Sequence, residues 1–291
     1  MSKSAPHRSV SSALRSESTL PDPLDRSALV QELRDAIHHD ELFVCYQPKY
    51  RPRSGRIDAV EALVRWQHPI NGIVAPGEFI GVAEENGLIQ DLSRWVTTRV
   101  LLDREKLQQD GHDVSIHINL SSSLVGDEGF ALWMAEAVRG LEPGALGLEI
   151  TASALLSEPE AALRNLNTMA EAGLALTVDD FGKGAWSLST LTQMPAREFK
   201  IDRSLIAVLT TRPGAPRLVR ACIELAHALD MQVTAMGVES EALLHLLQTM
   251  GCDLIQGFVI SPAIEIVDLQ DFLAAGPAFQ DLPMDLMRTS R

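Results

Sequence analysis

The chain of 291 residues is 46% hydrophobic, which is enough to bury a large core, and one α/β barrel of ordinary size would use most of it. Its formal net charge of −14 argues against binding to DNA or RNA polymers, because these select basic surfaces. Three widely spaced cysteines without a CxxC pair are typical of a protein in the reducing cytoplasm. No apolar run is long enough for a membrane span or a signal-peptide core, so we expect a cytoplasmic protein that does not enter the membrane.

The chain begins with a Ser-rich stretch, residues 1–23, which has few large apolar residues and is therefore predicted to be a disordered tail. Residues 24–278 are predicted to form one domain, and residues 279–291 a C-terminal tail. The domain opens with a helical pattern from Leu24 that runs into a β-rich stretch at residues 42–50. The pattern contains no sign of a second domain.

Short apolar runs alternate with amphipathic helices along the rest of the domain. Further strands are predicted at residues 57–66, 114–120, 145–151, 174–180, 198–201, 231–236 and 254–256. The helices between them include residues 89–109, 160–172, 217–229 and 240–250. This alternation predicts a parallel sheet with helical crossovers, and about eight strands indicate a single closed (β/α)₈ barrel of the TIM type.

Side-chain alternation along the strands identifies polar residues that face the barrel interior. In residues 114–120 apolar and polar residues alternate, which leaves Asn119 pointing inward near the end of its strand. His117, on the same face but below the rim, is interpreted as a hydrogen-bonded barrel residue rather than a ligand. The same alternation places further residues late on inward faces: Glu61, Glu149, Asp179 and Met236.

The C-terminal strand ends of a (β/α)₈ barrel build its active site, so oxygen-bearing side chains grouped there indicate a metal site. Clustered carboxylates repel one another unless a cation shares them. Because no Cys or His ligand motif accompanies them, these donors favour Mg²⁺ or Mn²⁺ over zinc, a combination that suits phosphodiester hydrolysis. The predicted metal ligands are Glu61, Asn119, Glu149, Asp179 and Asp180.

A series of short motifs occurs at these strand ends in chain order. They are Tyr46-Gln47-Pro48, Glu61-Ala62-Leu63-Val64-Arg65, Asn119-Leu120-Ser121, Glu149-Ile150-Thr151, Asp179-Asp180-Phe181-Gly182, Lys200-Ile201-Asp202, Gly237-Val238-Glu239 and Gln256-Gly257. In this order they resemble the EAL domain, the bacterial family that hydrolyses cyclic di-GMP to the linear dinucleotide. The resemblance covers residues 24 to about 275. It implies a (β/α)₈ barrel whose first strand runs antiparallel to the others.

The resemblance also implies a role for each site residue. A first divalent cation would bind to Glu61, Asn119, Glu149 and Asp179, and Asp180 would serve a second. The two cations would polarise the phosphodiester and generate hydroxide from a bridging water. Lys200 would hold that water. Together with Asp180, which would serve the second cation, it is an implied catalytic residue. The implied contacts to cyclic di-GMP are Gln47, Leu63, Arg65 and Gln256.

The chain departs from the family pattern after the seventh strand. The family reads Ala-Glu-Gly-Val-Glu there, whereas this chain has Met236 in place of the first acid. In the family that acid is a metal-site carboxylate and the favoured general base, and a thioether neither accepts a proton at neutral pH nor binds Mg²⁺ usefully. Loss of a general base costs about 10²- to 10⁴-fold in rate.

Two further departures lie near the fifth and sixth strands. The family's Glu-Ile-Thr-Glu ends in Ala152 here, which removes the acid that steadies the following loop. Residues 183–186 differ from the family's loop, which organises the second metal and is linked with dimerisation, so homodimer formation stays open. Lys183 in this loop either neutralises the Asp pair in place of a metal or is a solvated lysine.

Three functions follow from the retained and lost residues. The preferred hypothesis is a degenerate, catalytically inactive or strongly impaired EAL domain that binds cyclic di-GMP and acts as a sensor or adaptor. The second is a residual metal-dependent phosphodiesterase, since most metal ligands persist. The third is a protein-interaction domain without nucleotide binding, which contacts a protein partner through its helices or its Ser-rich tail.

Overall fold

A computed structural model describes residues 26–155, 159–183 and 186–277. Its strands are β1 (Leu42–Arg51), β2 (Arg56–His68), β3 (Gly72–Val74), β4 (Ser115–Asn119), β5 (Leu146–Ile150), β6 (Ala175–Phe181), β7 (Glu198–Ile201), β8 (Gln232–Ala235), β9 (Leu254–Gln256) and β10 (Ile264–Glu265). Its helices are α1 (Arg26–His38), α2 (Pro76–Glu85), α3 (Ile89–Gln109), α4 (Ser122–Val125), α5 (Glu128–Ala137), α6 (Pro159–Glu171), α7 (Leu188–Leu191), α8 (Arg203–Ala207), α9 (Ala215–Ala228), α10 (Glu241–Thr249) and α11 (Ile266–Ala275). The two predicted tails, residues 1–23 and 279–291, lie outside the described residues.

The strands close into the predicted barrel. The order round it is β1, β2, β4, β5, β6, β7, β8 and β9, and β9 pairs with β1 to complete the ring. Neighbouring strands from β2 to β9 are parallel, whereas β1 is antiparallel to both β2 and β9, so the predicted fold class and antiparallel first strand are confirmed. A short connection, residues 52–55, joins β1 to β2, and such a connection can join only antiparallel neighbours.

The apolar core lies between the barrel and its helices, and the barrel interior is polar. On β4 the fully buried Ile116 and Ile118 face outward, and His117 between them faces inward. On β7 the outward Phe199 alternates with the inward Glu198 and Lys200. Since parallel strands stack their inward residues in layers, this alternation groups charged side chains along the barrel axis.

Helix α3 is tied to the barrel by a buried aspartate. Asp103, which is 1% exposed, accepts hydrogen bonds from the Tyr46 hydroxyl at 2.8 Å, Arg99 Nε at 3.0 Å and Lys106 Nζ at 2.8 Å. Burial alone would raise the pKa of Asp103, but these donors lower it below its ordinary value. Across residues 26–155, 159–183 and 186–277, every helix is too short or too polar to cross a lipid bilayer.

Candidate active site

The predicted ligands of β2, β4 and β5 meet at the mouth of the barrel. Asn119 and Glu149 are register partners on β4 and β5, and Asn119 Nδ2 donates a hydrogen bond to Glu61 Oε1 at 2.8 Å. Glu61 and Glu149 are buried, whereas Asn119 is exposed. The structure therefore brings these three side chains together at the C-terminal strand ends, as predicted.

Lys200 lies at the centre of this group. Its Nζ donates to Glu61 Oε2 at 2.9 Å and to Glu149 Oε2, and it lies 3.5 Å from Asp179 Oδ1. Burial by itself would lower the pKa of Lys200, but the carboxylates of Glu149, Glu61 and Asp179 hold it well above its ordinary value. The side chain is therefore a buried ammonium group that three carboxylates share.

The carboxylates respond differently to this environment. Burial, together with the neighbouring carboxylates of Glu149 and Glu61, raises the pKa of Asp179 to about 6 against the opposing effect of Lys200. Burial would also raise the pKa of Glu149, but the ammonium groups of Lys200 and Lys49 lower it to about 2. Asp179 Oδ1 is buried without a hydrogen-bond partner. Glu149 Oε1 also lacks a hydrogen bond, but the opposite directions of the two pKa shifts make Asp179 the less stabilised anion.

A register shift near the end of β6 interrupts the strand at two consecutive aspartates, Asp179 and Asp180. The pairing of β6 with β7 slips between Val178 and Phe181, and Asp180 adopts a left-handed φ of 54°. Such a bulge interrupts the regular alternation of side chains and is common beside active sites. Trp186 Nε1 donates to the backbone oxygen of Asp179 at 3.2 Å, so the altered loop also contacts the bulge.

Lys183 lies beside the bulge but is exposed to solvent. Its Nζ is 3.7 Å from Asp180 Oδ2, and its side chain is 69% exposed. An exposed pair at this distance is weak, which favours the interpretation of Lys183 as a solvated loop lysine over a replacement for a metal.

Gln256 binds Glu61 at the oxygen that Lys200 also contacts, and Gln47 in turn binds Gln256. Gln256 Nε2 donates to Glu61 Oε2 at 2.7 Å and to Gln47 Oε1 at 3.1 Å, and Gln47 Nε2 donates to the Ser261 oxygen at 3.2 Å. Gly257 permits this arrangement, because a Cβ there would lie 2.2 Å from the backbone oxygen of Val238. The structure thus places Gln47 and Gln256 within the carboxylate group.

Leu63 and Arg65 continue the inward face of β2 beyond Glu61. Leu63 lines a cavity of about 680 Å³ beside the carboxylates. Arg65 is half-buried, and its Nη1 donates to the backbone oxygen of Val64 at 2.9 Å. Among the described residues, no ion pair joins Arg65 to the carboxylates, which leaves its guanidinium group available for an anionic ligand.

The cavity extends from the carboxylates to the space beneath α2, α3 and α5. Asn119, Glu149 and Asp180 line one side of it. Its volume is within the range of small-molecule sites, which combine apolar walls with a few polar groups. The apolar lining includes Ile80, Leu92, Val96, Phe130 and Met134.

Met236 follows β8 directly and is half-buried. Its backbone N–H donates to the Ile201 oxygen at 3.1 Å, which keeps it beside the end of β7. Thr234, two residues earlier, donates to the buried Glu198 inside the barrel, consistent with the inward face predicted for both positions. Ala152 begins a 3₁₀ helix, Ala152–Leu155, and supplies no acid to the loop after β5.

Two buried charges, Lys49 and Glu198, escaped the sequence analysis. Lys49 Nζ lies 2.8 Å from Glu198 Oε1 and 2.9 Å from Glu149 Oε1, and both partners are buried. His117 Nδ1 lies 3.3 Å from both Lys49 Nζ and Thr177 Oγ1, which confirms its hydrogen-bonded role; burial lowers its pKa to about 4. Alternation from Gln47 would have placed Lys49 on the inward face.

The oxygen donors at the mouth fit a hard divalent cation. Carboxylate and amide oxygens suit Mg²⁺ or Mn²⁺, and the buried Asp179 Oδ1, which accepts no hydrogen bond, provides an anionic oxygen for such an ion. In the described part of the chain, no three Asp, Glu, His or Cys side chains are already spaced as the ligands of a metal ion. The Lys200 ammonium instead holds the carboxylates of Glu61, Glu149 and Asp179 together.

Comparisons with known proteins agree with this geometry. The sequence matches the family model of the EAL domain over residues 30–263. It is 36% identical over 91% of its length to an uncharacterized signaling protein of Caulobacter vibrioides, and 35% identical over 84% to the cyclic di-GMP phosphodiesterase NbdA of Pseudomonas aeruginosa. The chain spans 33% and 32% of the lengths of these two relatives. A solved structure described as the PaMucR phosphodiesterase in complex with c-di-GMP superimposes with a TM-score of 0.77 and 34% identity, covering 83% of this chain and 99% of the other.

Proposed function

The chain belongs to the EAL domain family, and from that premise we propose that it binds cyclic di-GMP at the mouth of its barrel and hydrolyses it very slowly or not at all. Such a domain acts in cyclic di-GMP signalling as a sensor or adaptor. The single observation that carries the loss of activity is Met236, which stands beside the end of β7 where the family has a carboxylate.

The cavity and its rim support binding of a cyclic dinucleotide. The space of about 680 Å³ beside the carboxylates has apolar walls, and a flat nucleobase packs well against such walls. Arg65, unpaired with the site carboxylates, offers a planar donor group for a phosphate. The related structure named for its c-di-GMP complex belongs to a protein 34% identical to this chain.

Glu61, Asn119, Glu149, Asp179 and Asp180 would hold Mg²⁺ or Mn²⁺. A bound divalent cation polarises a phosphodiester and lowers the pKa of a bound water. Lys200, a buried ammonium group among these acids, would hold the attacking water and offset the charge that develops on the phosphate. Gln256 would keep Glu61 in its orientation, and Gln47 would support Gln256.

The weak step in this chemistry is removal of a proton from the attacking water. The thioether of Met236 cannot accept a proton, and Ala152 contributes no acid from the neighbouring loop. Absence of the general base accounts for a loss of about 10²- to 10⁴-fold, and weaker metal binding adds to it.

Calorimetric titration of cyclic di-GMP, with and without Mg²⁺, tests the binding proposal. We expect binding in at least one of the two conditions. A wild-type chain that shows no heat of binding at high micromolar nucleotide in either condition would contradict it.

Restoring the acid tests the proposed loss of activity. Met236→Glu, alone and with Ala152→Glu, should raise hydrolysis by about 10²-fold or more in Mg²⁺ or Mn²⁺. Leu218→Glu is the matched control, because it adds the same charge on the exposed face of α9. A wild-type rate equal to that of the double variant would overturn the proposal.

The retained acids favour residual phosphodiesterase activity as a second candidate. Glu61, Glu149 and Asp179 persist around Lys200, and a solvent water could take the place of the missing ligand. Slow turnover in wild type, abolished by Glu61→Gln and accelerated by Met236→Glu, would identify this activity.

A further inference from the structure

A charged layer lies inside the barrel beneath the candidate active site. We define it as Lys49, His117, Thr177, Glu198 and Thr234. Lys49 is 0% exposed, and Glu198 is 7% exposed. Thr234 Oγ1 donates to Glu198 Oε1 at 2.6 Å, and Thr177 Oγ1 donates to Glu198 Oε2 at 3.3 Å. The layer is therefore an ordered network of hydrogen bonds and charges.

The layer touches the candidate metal site at one residue, Glu149. Lys49 Nζ lies 2.9 Å from Glu149 Oε1, whereas Lys200 Nζ contacts Glu149 Oε2. Oε2 therefore accepts a hydrogen bond from Lys200 at the mouth, whereas Oε1 accepts no hydrogen bond and is paired with Lys49 from below by charge and proximity. A hydrogen bond on one oxygen and an ammonium group beside the other restrict rotation of the carboxylate more than the hydrogen bond would alone.

A buried lysine is costly to place beneath a cation site. Removing an ammonium group from water costs several kcal/mol unless hydrogen-bonded anions surround it. Glu198 accepts a hydrogen bond from Lys49 at 2.8 Å, and the Glu149 carboxylate lies 2.9 Å from the same ammonium group. The arrangement keeps Lys49 close beneath Glu149 and anchors it from the other side through Glu198.

We propose that Lys49 is a positioning residue that orients Glu149 to receive a divalent cation. This inference rests on the proposed function, because it takes the carboxylates at the mouth as the cation ligands. Partners that orient a metal ligand typically contribute 10- to 100-fold in metal affinity.

Simple electrostatics predicts the opposite effect of removing Lys49. An ammonium group bound to a metal ligand repels an incoming cation, so its loss should strengthen cation binding if charge alone mattered. Loss of orientation should weaken binding. The direction of the change in metal affinity therefore separates the two effects.

The test compares two variants of the full chain that differ only at position 49. Glu198→Gln keeps one side-chain oxygen that can accept from a threonine hydroxyl, presents an amide group that the other hydroxyl can accept from, and retains Lys49. Lys49→Met combined with Glu198→Gln removes the ion pair while leaving net charge as in wild type. Mn²⁺ affinity is measured by electron paramagnetic resonance of free Mn²⁺, and folding by near-ultraviolet circular dichroism in EDTA.

We expect the double variant to bind Mn²⁺ about 10- to 100-fold more weakly than Glu198→Gln. Equal or tighter binding by the folded double variant overturns the inference. If the Met variant does not fold, Lys49→Leu in the same background is judged by the same outcomes. A wild-type chain that binds no Mn²⁺ overturns this inference together with the proposed metal site, and the separate nucleotide titration reports on the rest of the proposed function.

Discussion

Replacing Lys200 by methionine removes the ammonium group that holds the candidate ligands together. Lys200 is fully buried and lies within 3.5 Å of Asp179, with closer contacts to Glu61 and Glu149. Methionine fills nearly the same space, so the main effect is electrostatic. Removing one partner from a buried ion pair costs about 3–5 kcal/mol, because the remaining charges stay buried without compensation.

A divalent cation should reverse much of this loss. The freed carboxylates can share the cation instead of the ammonium group, and a ligand at 100 times its dissociation constant stabilises the folded state by about 2.7 kcal/mol. Wild type should gain less, because Lys200 competes for the same oxygens.

Urea unfolding of both proteins, in EDTA and in Mg²⁺, measures these free energies of unfolding. Lys183→Met is the matched control, since its pair with Asp180 is exposed and is worth only about 0–1 kcal/mol. If Lys200→Met in EDTA stays within about 1 kcal/mol of wild type, the three-carboxylate network does not carry the energy assigned to it. If Mg²⁺ does not stabilise Lys200→Met, the freed carboxylates do not bind the cation.

Three other perturbations test the fold around the site. Asp103→Asn should lower the free energy of unfolding by about 1–3 kcal/mol at neutral pH in urea titrations. Folding lowers the pKa of Asp103, so its carboxylate stabilises the protein above the unfolded pKa and loses this effect as pH falls. The difference in free energy between variant and wild type should therefore narrow below about pH 4. Gly147→Ala should lower the free energy of unfolding by about 1–3 kcal/mol in the same titrations, since the new Cβ would lie 2.7 Å from His117 Nδ1. Combining it with His117→Ala should recover part of this loss. Strictly additive effects of the two substitutions would contradict the proposed clash. Gly257→Ala should lower the melting temperature and weaken cyclic di-GMP binding, because the new methyl group would lie 2.2 Å from the Val238 backbone oxygen and displace Gln256. An unchanged melting temperature in scanning calorimetry would refute this contact.

The sequence was most informative where strands are regular. Glu61, Glu149 and Lys200 lie inside strands whose side chains alternate, so their inward direction follows from counting residues. The antiparallel β1 came from the family resemblance, although the short connection at residues 52–55 also requires it.

Alternation was less informative where the backbone is irregular or a charge is unexpectedly buried. Asp180 lies in a bulge with φ of 54°, and strand counting cannot anticipate a register slip. Lys49 was missed because a strand lysine is usually exposed. Its burial depends on Glu149 and Glu198, and the hydrogen-bonded pair with Glu198 spans 149 residues of sequence.

The amino-acid sequence alone was sufficient to establish the fold, the family and the missing acid of this protein. Strand and helix periodicity, with motifs at the strand ends, identified a (β/α)₈ barrel of the EAL family, and residue 236 carries no acid in any conformation. Only the tertiary structure decided how the buried charges are shared, with Lys200 among the mouth carboxylates and Lys49 beneath Glu149. Electrostatic pairing depends on distances between residues on different strands, and those distances exist only once the barrel has closed.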